Sequence, residues 1–167
     1  MTSATPRVEI RRLERTDTAT INMVVPLSEI GSAVPTIFRD VYEYLASLGM
    51  EPELAFGRYA PMGQEMFIHA GFTVPRPVPA KGRIKPGELP GGEAAVYLHV
   101  GPYDKVEAAY RAIGDWMTRE GRVSTGEPWE VYLSPPEEVP PRTEVVFPLV
   151  PRDSEAHAAA SPEGKKV

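Results

Sequence analysis

One acid in an aromatic, apolar run is the residue of this chain whose type and position most suggest chemistry. Glu130 lies between Trp129 and Tyr132 in the segment PWEVYL. An ionised carboxylate is costly to desolvate, so here it is solvent-facing, paired, or held for a ligand that supplies a positive charge. The alternative without a functional role is a solvent-facing strand glutamate, because Glu is seldom fully buried without a partner. As a ligand anchor, Glu130 would be a counter-ion to a cation or a general base that positions water, and the residues leave both roles open.

Aromatic and histidine side chains at strand spacing are the candidates to surround this acid. Residues two apart in a strand share a face of the sheet, so Tyr132 is predicted beside Glu130. Tyr97 and His99 alternate in the same way, and we expect them in a cleft if the apolar residues between them face the helices. The alternative for each aromatic is ordinary core packing. With the corresponding first-half strand as the opposite wall, the candidate site residues are Glu130, Tyr132, Tyr97, His99, Tyr59 and Phe56, and Glu130 and Tyr132 would be the catalytic pair in an enzyme.

Several kinds of site are disfavoured by what the chain lacks. It has no cysteine, which removes thiol nucleophiles and thiolate metal ligands. Its histidines, His69, His99 and His157, show no metal-ligand spacing. No glycine-rich phosphate loop or G-x-S-x-G elbow is found, so we expect neither a nucleotide cofactor nor a serine hydrolase. No metal and no cofactor are predicted.

Composition and charge restrict the partners. The chain has 167 residues, of which 42% are hydrophobic, and a formal net charge of −5. Its basic residues are scattered rather than clustered, so direct binding to nucleic acid is not expected. No stretch approaches the roughly 20 apolar residues of a membrane helix, and the first residues form no signal peptide. We therefore expect a cytoplasmic protein without a membrane partner.

An internal repeat predicts the elements that must position these residues. Two copies of a strand, helix, strand, strand unit follow one another, each with a strand ending in Val-Pro or Gly-Pro before the helix. Alternating apolar residues predict strands at 19–25, 54–59 and 66–74 in the first copy and at 94–100, 129–133 and 143–150 in the second. Apolar residues three and four apart predict one helix in each copy, one running through Val34 to Leu48 and the other through Val106 to Met117.

The helix ends have their own sequence signals. Ser32 is the predicted N-cap of the first helix, since Pro35 is best tolerated in a first turn. Asp104 and Glu107 resemble a capping box for the second helix. Gly49 and Gly121 are the predicted stops.

The predicted fold is a single α+β domain with a pseudo-two-fold axis. Its two units, about 6–75 and 83–150, are joined by the Pro- and Gly-rich stretch 75–92 and form one antiparallel or mixed sheet. We expect both helices on one face and a ligand cleft on the other. Residues 1–150 form this domain, and 151–167 form a disordered tail rich in Ala, Ser and charge.

Four ordered segments carry a resemblance to a known family. They are FGRY with HAGFTVP, LPGGEAAVYLHVGPYD, AYRAIGDWM, and PWEVYLSPPEEVP with RTEVVFPL. Over roughly residues 6 to 150 the chain resembles the GyrI-like (gyrase-inhibitor-like) small-molecule-binding domains, which are related to the effector-binding domains of MerR- and AraC-type multidrug-responsive regulators. The resemblance implies an aromatic-lined pocket in which a buried glutamate, at Glu130 here, meets lipophilic cations.

The same resemblance leaves three functions open. We expect a stand-alone binder of hydrophobic, often cationic drugs or xenobiotics that acts by sequestration or sensing, because only about five residues precede the resembling segment. Some relatives resemble hydrolases of cyclopropane-type xenobiotics, in which Glu130 would be the general base and a tyrosine would assist. Others modulate DNA gyrase, so a gyrase-like protein partner is a further possibility. The oligomeric state, monomer or homodimer, is left open.

Overall fold

The computed structural model describes residues 7–134 and 138–152, and in these ranges the chain forms one eight-stranded sheet and two α-helices. Short 3-10 turns, Leu27–Glu29 and Tyr103–Lys105, lead into the helices. The predicted tail lies outside the described residues beyond Arg152. The elements are β1 (Glu9–Leu13), β2 (Thr16–Pro26), α1 (Ile30–Ser47), β3 (Ala55–Met62), β4 (Glu65–Val74), β5 (Ile84–Leu89), β6 (Gly92–Val100), α2 (Glu107–Glu120), β7 (Trp129–Tyr132) and β8 (Arg142–Pro148).

The order of the strands shows the pseudo-two-fold axis. The sheet runs β1-β6-β8-β7-β3-β4-β2-β5, and each neighbouring pair is antiparallel. The axis passes between β3 and β7, and it relates the unit β2-α1-β3-β4 to the unit β6-α2-β7-β8. The predicted duplication and the α+β class are confirmed. The two units meet through three residue pairs, Ala55 with Tyr132, Phe56 with Val131 and Gly57 with Glu130.

The two edge strands, β1 and β5, were not predicted. Each precedes one unit in the chain but pairs with the other unit, β1 with β6 and β5 with β2. The stretch 75–92 is therefore more than a connection, because it contains Ile84–Leu89 as a strand. Edge strands tolerate proline and charge since one side of their backbone needs no partner. For this reason Pro86 in β5 and the two arginines in β1 are tolerated, and they interrupt the apolar alternation that would have predicted these strands.

Both helices pack on the same face of the sheet, as predicted. α1 buries Ile37, Val41 and Leu45 in a core with residues of β2 and β4. α2 buries Ala109 and Ile113 in a core with residues of β6 and β8. In the described ranges, no helix is long and apolar enough to cross a membrane.

The helix starts differ from the sequence prediction, whereas the ends agree with it. Ser32 lies inside α1 and its hydroxyl donates to the Glu29 carbonyl, while α2 begins after Val106 without a side-chain cap. In both cases a 3-10 turn runs directly into the helix and supplies carbonyl partners, so a capping side chain is not needed. Gly49 and Gly121 end the helices with φ of 68° and 65°, a conformation that favours glycine.

The face opposite the helices carries a second apolar core. Phe56, Trp129 and Val131 are buried there. Leu13 of β1 and Leu89 of β5 pack into the same cluster although their strands lie at opposite edges of the sheet. The sheet therefore curls into a half-barrel, and both of its faces are partly covered.

Candidate functional site

The junction of β3 and β7 places Glu130 on the face that carries the helices. Strand alternation puts Glu130 level with Gly57 of β3 and Val145 of β8, and Val145 belongs to the core under α2. Gly57 leaves room for the ring of Tyr59, since a Cβ at position 57 would lie 2.6 Å from the Tyr59 hydroxyl oxygen. The missing side chain thus lets Tyr59 lean toward β7.

Four side chains form a continuous chain of hydrogen bonds here, which we call the Glu130 cluster: Tyr59, Tyr110, Glu130 and Tyr132. The Tyr110 hydroxyl donates to Glu130 Oε2 at 2.7 Å, and the Tyr132 hydroxyl donates to Glu130 Oε1 at 2.8 Å. The hydroxyls of Tyr59 and Tyr132 are 2.7 Å apart. Because the Tyr132 proton goes to the carboxylate, Tyr59 is the donor in that pair. The cluster joins β3, β7 and α2.

Burial keeps the three phenols protonated. Glu130 is 9% exposed. Desolvation, together with the charge of Glu130, raises the pKa of Tyr59 to about 12. Burial first and the Glu130 charge second raise the pKa of Tyr110, and burial with its Tyr59 and Glu130 neighbours raises that of Tyr132 well above its ordinary value. At neutral pH the phenols are therefore neutral donors around the acid.

Two aromatic rings, one from the middle of α1 and one from the turn before α2, lie against Tyr132. Phe38 of α1 and Tyr103, in the turn before α2, each meet the Tyr132 ring edge-on with centroids 5.9 Å apart. Phe38 also contacts Phe72 of β4 at 5.5 Å. Tyr103 is 45% exposed, so the aromatic group reaches the surface at this point. The result is an acid held beneath an aromatic wall between the two helices.

Only part of the predicted set of site residues comes together. Tyr59 and Tyr132 belong to the Glu130 cluster. Tyr97 lies on the same face, but it packs in the core under α2. His99 is half-buried, and its Nε2 pairs with the Pro102 carbonyl oxygen at 2.8 Å.

The face of the cleft and the position of Phe56 differ from expectation. Glu130 lies on the same face as the helices, not the opposite one, because Tyr110 of α2 bonds to it directly. Phe56 has no exposed surface and points to the other face, where it packs with Trp129. The condition set for Tyr97 and His99, that the apolar residues of β6 face the helices, is not met, since Val96 lies in that opposite core.

Sequence reasoning missed three members of the site, Tyr110, Phe38 and Tyr103. Tyr110 and Phe38 fall in the apolar stripes of their helices, a pattern that predicts core packing for both. A buried tyrosine hydroxyl needs a polar partner, and this requirement was the available signal for Tyr110. Tyr103 lies in a turn, where no periodic pattern indicates the direction of its side chain.

Two solved structures of the EcmrR protein are similar to this chain. The crystal structure of the EcmrR C-terminal domain is 20% identical, with a TM-score of 0.76 over 88% of this chain and 99% of that one. In the cryo-EM structure of an EcmrR–DNA complex the TM-score is 0.71 at 20% identity, and 86% of this chain is covered. This chain spans only 57% of that EcmrR chain. At such identities the likeness shows the fold.

Two further solved structures share the fold, and a sequence model shows the family. A hydrolase from Listeria innocua is 14% identical, with a TM-score of 0.61 over 86% of this chain and 92% of that one. SAV2435 bound to tetraphenylphosphonium is 11% identical, with a TM-score of 0.57 over 90% and 98%. A comparison with curated proteins gave no significant match. The sequence model of the GyrI-like small molecule binding domain matches residues 6–150, and the chain thus belongs to the GyrI-like family of small-molecule-binding domains.

Proposed function

We propose that the Glu130 cluster is the polar anchor of a site for hydrophobic, often cationic small molecules, such as drugs or xenobiotics. The protein would act by sequestering the ligand or by sensing it. The observation that carries the proposal is the charge of Glu130, which is 9% exposed and has neutral tyrosines, but no basic side chain, as its partners among the described residues.

The charge balance of the cluster favours a cation. Hydrogen bonds from Tyr110 and Tyr132 distribute the negative charge of Glu130 without cancelling it. A buried carboxylate lacks the solvation that water would give, and an approaching positive charge restores part of it. At an effective dielectric constant near 20, two unit charges about 4 Å apart attract by about 4 kcal/mol before the ligand's own desolvation is counted.

The aromatic wall favours a cation that carries hydrophobic groups. Phe38, Tyr103 and Tyr132 present rings that meet at nearly right angles. The face of an aromatic ring attracts a cation by about 0.5 to 2 kcal/mol, and its apolar surface is buried by a hydrophobic ligand. A bulky lipophilic cation satisfies the acid and the rings together.

A pair of probes of one shape and opposite charge gives the direct test. The SAV2435 structure holds tetraphenylphosphonium, which makes this cation a suitable probe, and tetraphenylborate is its anionic counterpart. We expect the cation to raise the melting temperature of the wild-type protein and the borate to leave it unchanged, since a ligand stabilises the state that binds it. Calorimetric titration then gives both affinities.

The matched variants are Glu130→Gln and Glu43→Gln. Both remove one carboxylate charge, but Glu43 is exposed on α1. We expect Glu130→Gln to weaken binding of the cation by about tenfold or more, which is about 1.4 kcal/mol, and Glu43→Gln to bind like wild type. Equal stabilisation by the two probes, or full affinity in Glu130→Gln, would contradict the proposal.

A hydrolase of reactive, cyclopropane-type xenobiotics is the second candidate, and the hydrogen bonds of the cluster favour it. Glu130 would accept a proton from the attacking water, and a tyrosine hydroxyl would supply a proton to the opened ring. Tyr132 donates to Glu130 and its ring lies against the exposed Tyr103, so it is the first choice for the tyrosine. Product formed over many turnovers, and abolished in both Glu130→Gln and Tyr132→Phe, would establish this function. Binding without product would leave the binding function alone.

Two of the predictions about assembly remain predictions. Nothing in the described residues specifically supports a gyrase-like protein partner, so this partner stays a prediction. The choice between monomer and homodimer is likewise open. Light scattering of the purified protein, with and without tetraphenylphosphonium, would determine the oligomeric state.

A further inference from the structure

A partly buried arginine lies on the face of the sheet opposite the Glu130 cluster. Arg58 of β3 is one residue beyond Gly57, so alternation points its side chain away from the helices. Its Nε is buried and has no hydrogen-bond partner among the described residues. Its guanidinium lies over the Trp129 ring, with Cζ 5.4 Å from the ring centroid.

The polar neighbours of Arg58 extend across two adjoining strands. His69 of β4 is its cross-strand partner, and Asn22 of β2 is the partner of His69 on the far side. The His69 Nε2 pairs with the Thr20 hydroxyl at 3.0 Å, which fixes the ring beside Arg58. Asn22 is exposed, so this row of side chains opens to solvent at that side.

The charge of Arg58 is not balanced by its neighbours in the described part of the chain. Burial lowers the pKa of Arg58, and the charge of Glu127 opposes that effect without forming an ion pair. The same positive charge, after burial, lowers the pKa of His69. A buried guanidinium is normally matched by a carboxylate or phosphate because its planar N–H groups suit two oxygens at once. The Trp129 ring offers attraction but accepts no such pair of hydrogen bonds.

We propose that Arg58 is the anchor of a second ligand site, on the half-barrel face, that binds a small oxyanion such as a carboxylate or phosphate group. His69 lies beside the anion and Asn22 flanks it. This site is separate from the Glu130 cluster and has the opposite charge preference. It does not depend on the function proposed for that cluster.

The test follows the His69 ring by NMR during titration with acetate, benzoate and inorganic phosphate. The His69 signal is assigned by comparison with His69→Gln. We expect a saturable shift in the wild-type protein, because an anion on Arg58 changes the field at the neighbouring ring. The order of affinity among the three anions identifies the preferred group. The affinities for acetate and phosphate show which oxyanion binds more tightly. The affinities for benzoate and acetate show whether an aromatic ring on the carboxylate strengthens binding.

Three single-charge variants give predicted effects of different sign. Arg58→Gln should weaken the preferred anion at least tenfold. Glu127→Gln should tighten its binding, because a competing negative charge is removed. Arg39→Gln, which removes an arginine paired with Asp40 on α1, should bind like wild type.

Two results would overturn the proposal. One is a His69 signal that none of the three anions moves in a saturable manner. The other is an equal effect of Arg39→Gln and Arg58→Gln, which would mean general charge screening. If Arg58→Gln fails to fold, Arg58→Lys takes its place, since lysine keeps the charge but loses the two-pronged geometry and should still weaken binding.

Discussion

The two faces of the sheet at the β3–β7 junction differ in how a buried or partly buried charge is satisfied. On the helix face, the negative charge of Glu130 is shared by two tyrosine hydroxyls. On the half-barrel face, the positive charge of Arg58 lies against Trp129, and its Nε has no partner within the described residues. Glu130 lies on β7 and Arg58 on β3, and these two strands are paired. The difference shows that one junction can support two sites of opposite preference, because alternating residues are separated by the sheet itself.

The largest expected effect tests whether the half-barrel face is a true core. Phe56→Ala should lower the free energy of unfolding by about 3 to 5 kcal/mol, because the ring has no exposed surface and its removal leaves a cavity. Urea denaturation measures the change. Leu54→Ala, at a side chain 47% exposed, should cost less than about 1 kcal/mol. Similar losses in both variants would mean that this face is not packed as described.

A hydroxyl deletion tests the shared charge on the helix face. Tyr110→Phe should lower the free energy of unfolding by about 1.5 to 3 kcal/mol, because it removes a hydrogen bond to an ionised group. Tyr97→Phe is the matched control, since the Tyr97 hydroxyl has no hydrogen bond among the described residues. If both variants unfold at the same urea concentration, the bond from Tyr110 contributes nothing.

Alkaline pH tests the same face without mutation. Folding raises the pKa of Tyr59 from about 10 to about 12, so the stability it contributes is complete below pH 10 and is lost as the pH rises through 12. Tyr59 should account for a loss of up to about 2 kcal/mol in this window, in addition to the losses from Tyr110 and Tyr132, so Tyr59→Phe should lose less than the wild-type protein. Chemical denaturation at several pH values between 9 and 12 measures it. An equal pH dependence in the two proteins would contradict the assignment.

Removing the arginine should have the opposite sense from removing a hydroxyl. Arg58→Met should be neutral or should stabilise the protein by about 1 kcal/mol, because the methionine avoids burying an unmatched charge. Arg122→Met is the contrasting variant, since Arg122 is buried and donates to Glu93 at 2.6 Å. It should lower the free energy of unfolding by about 1 to 3 kcal/mol. A comparable loss in Arg58→Met would show that its charge is already satisfied.

The smallest effect concerns His69. Its pKa lies below the ordinary value, first because of burial and second because of Arg58, so its contribution to stability is present above pH 6.5 and is lost as the pH falls. Arg58→Met should raise the pKa of His69 only part of the way back, because burial remains. NMR titration of the ring in the wild-type protein and in Arg58→Met measures this. An unchanged His69 pKa in Arg58→Met would show that the charge of Arg58 does not act on His69.

Much of the fold followed from the sequence, because its signals are local. The apolar stripes of α1 and α2 predicted both helices, and Gly49 and Gly121 predicted their ends. The repeat predicted the strand pattern of both units. The edge strands were not predicted, because an edge strand pairs with only one neighbouring strand and its sequence is less constrained. The predicted helix caps were wrong because 3-10 turns lead into both helices.

The candidate site was less predictable than the fold. Alternation placed Tyr132 on the Glu130 face correctly, since residues two apart always share a face. It could not identify Tyr110 or Phe38, which reach the acid and its neighbour Tyr132 from helices distant in sequence. It put Phe56 and Tyr59 on opposite faces, but only the strand register across the junction decides which of them shares the face of Glu130.

The sequence by itself determined the duplicated units, the two helices and the acid that distinguishes one unit from the other. It also determined that Trp129 and Glu130 point in opposite directions. Only the tertiary structure decided which face the helices cover, because both faces of this sheet carry apolar residues and alternation alone does not rank them. The fold then brought the partly buried Arg58 against Trp129 on one side, while the packing of α2 brought a hydroxyl to Glu130 on the other.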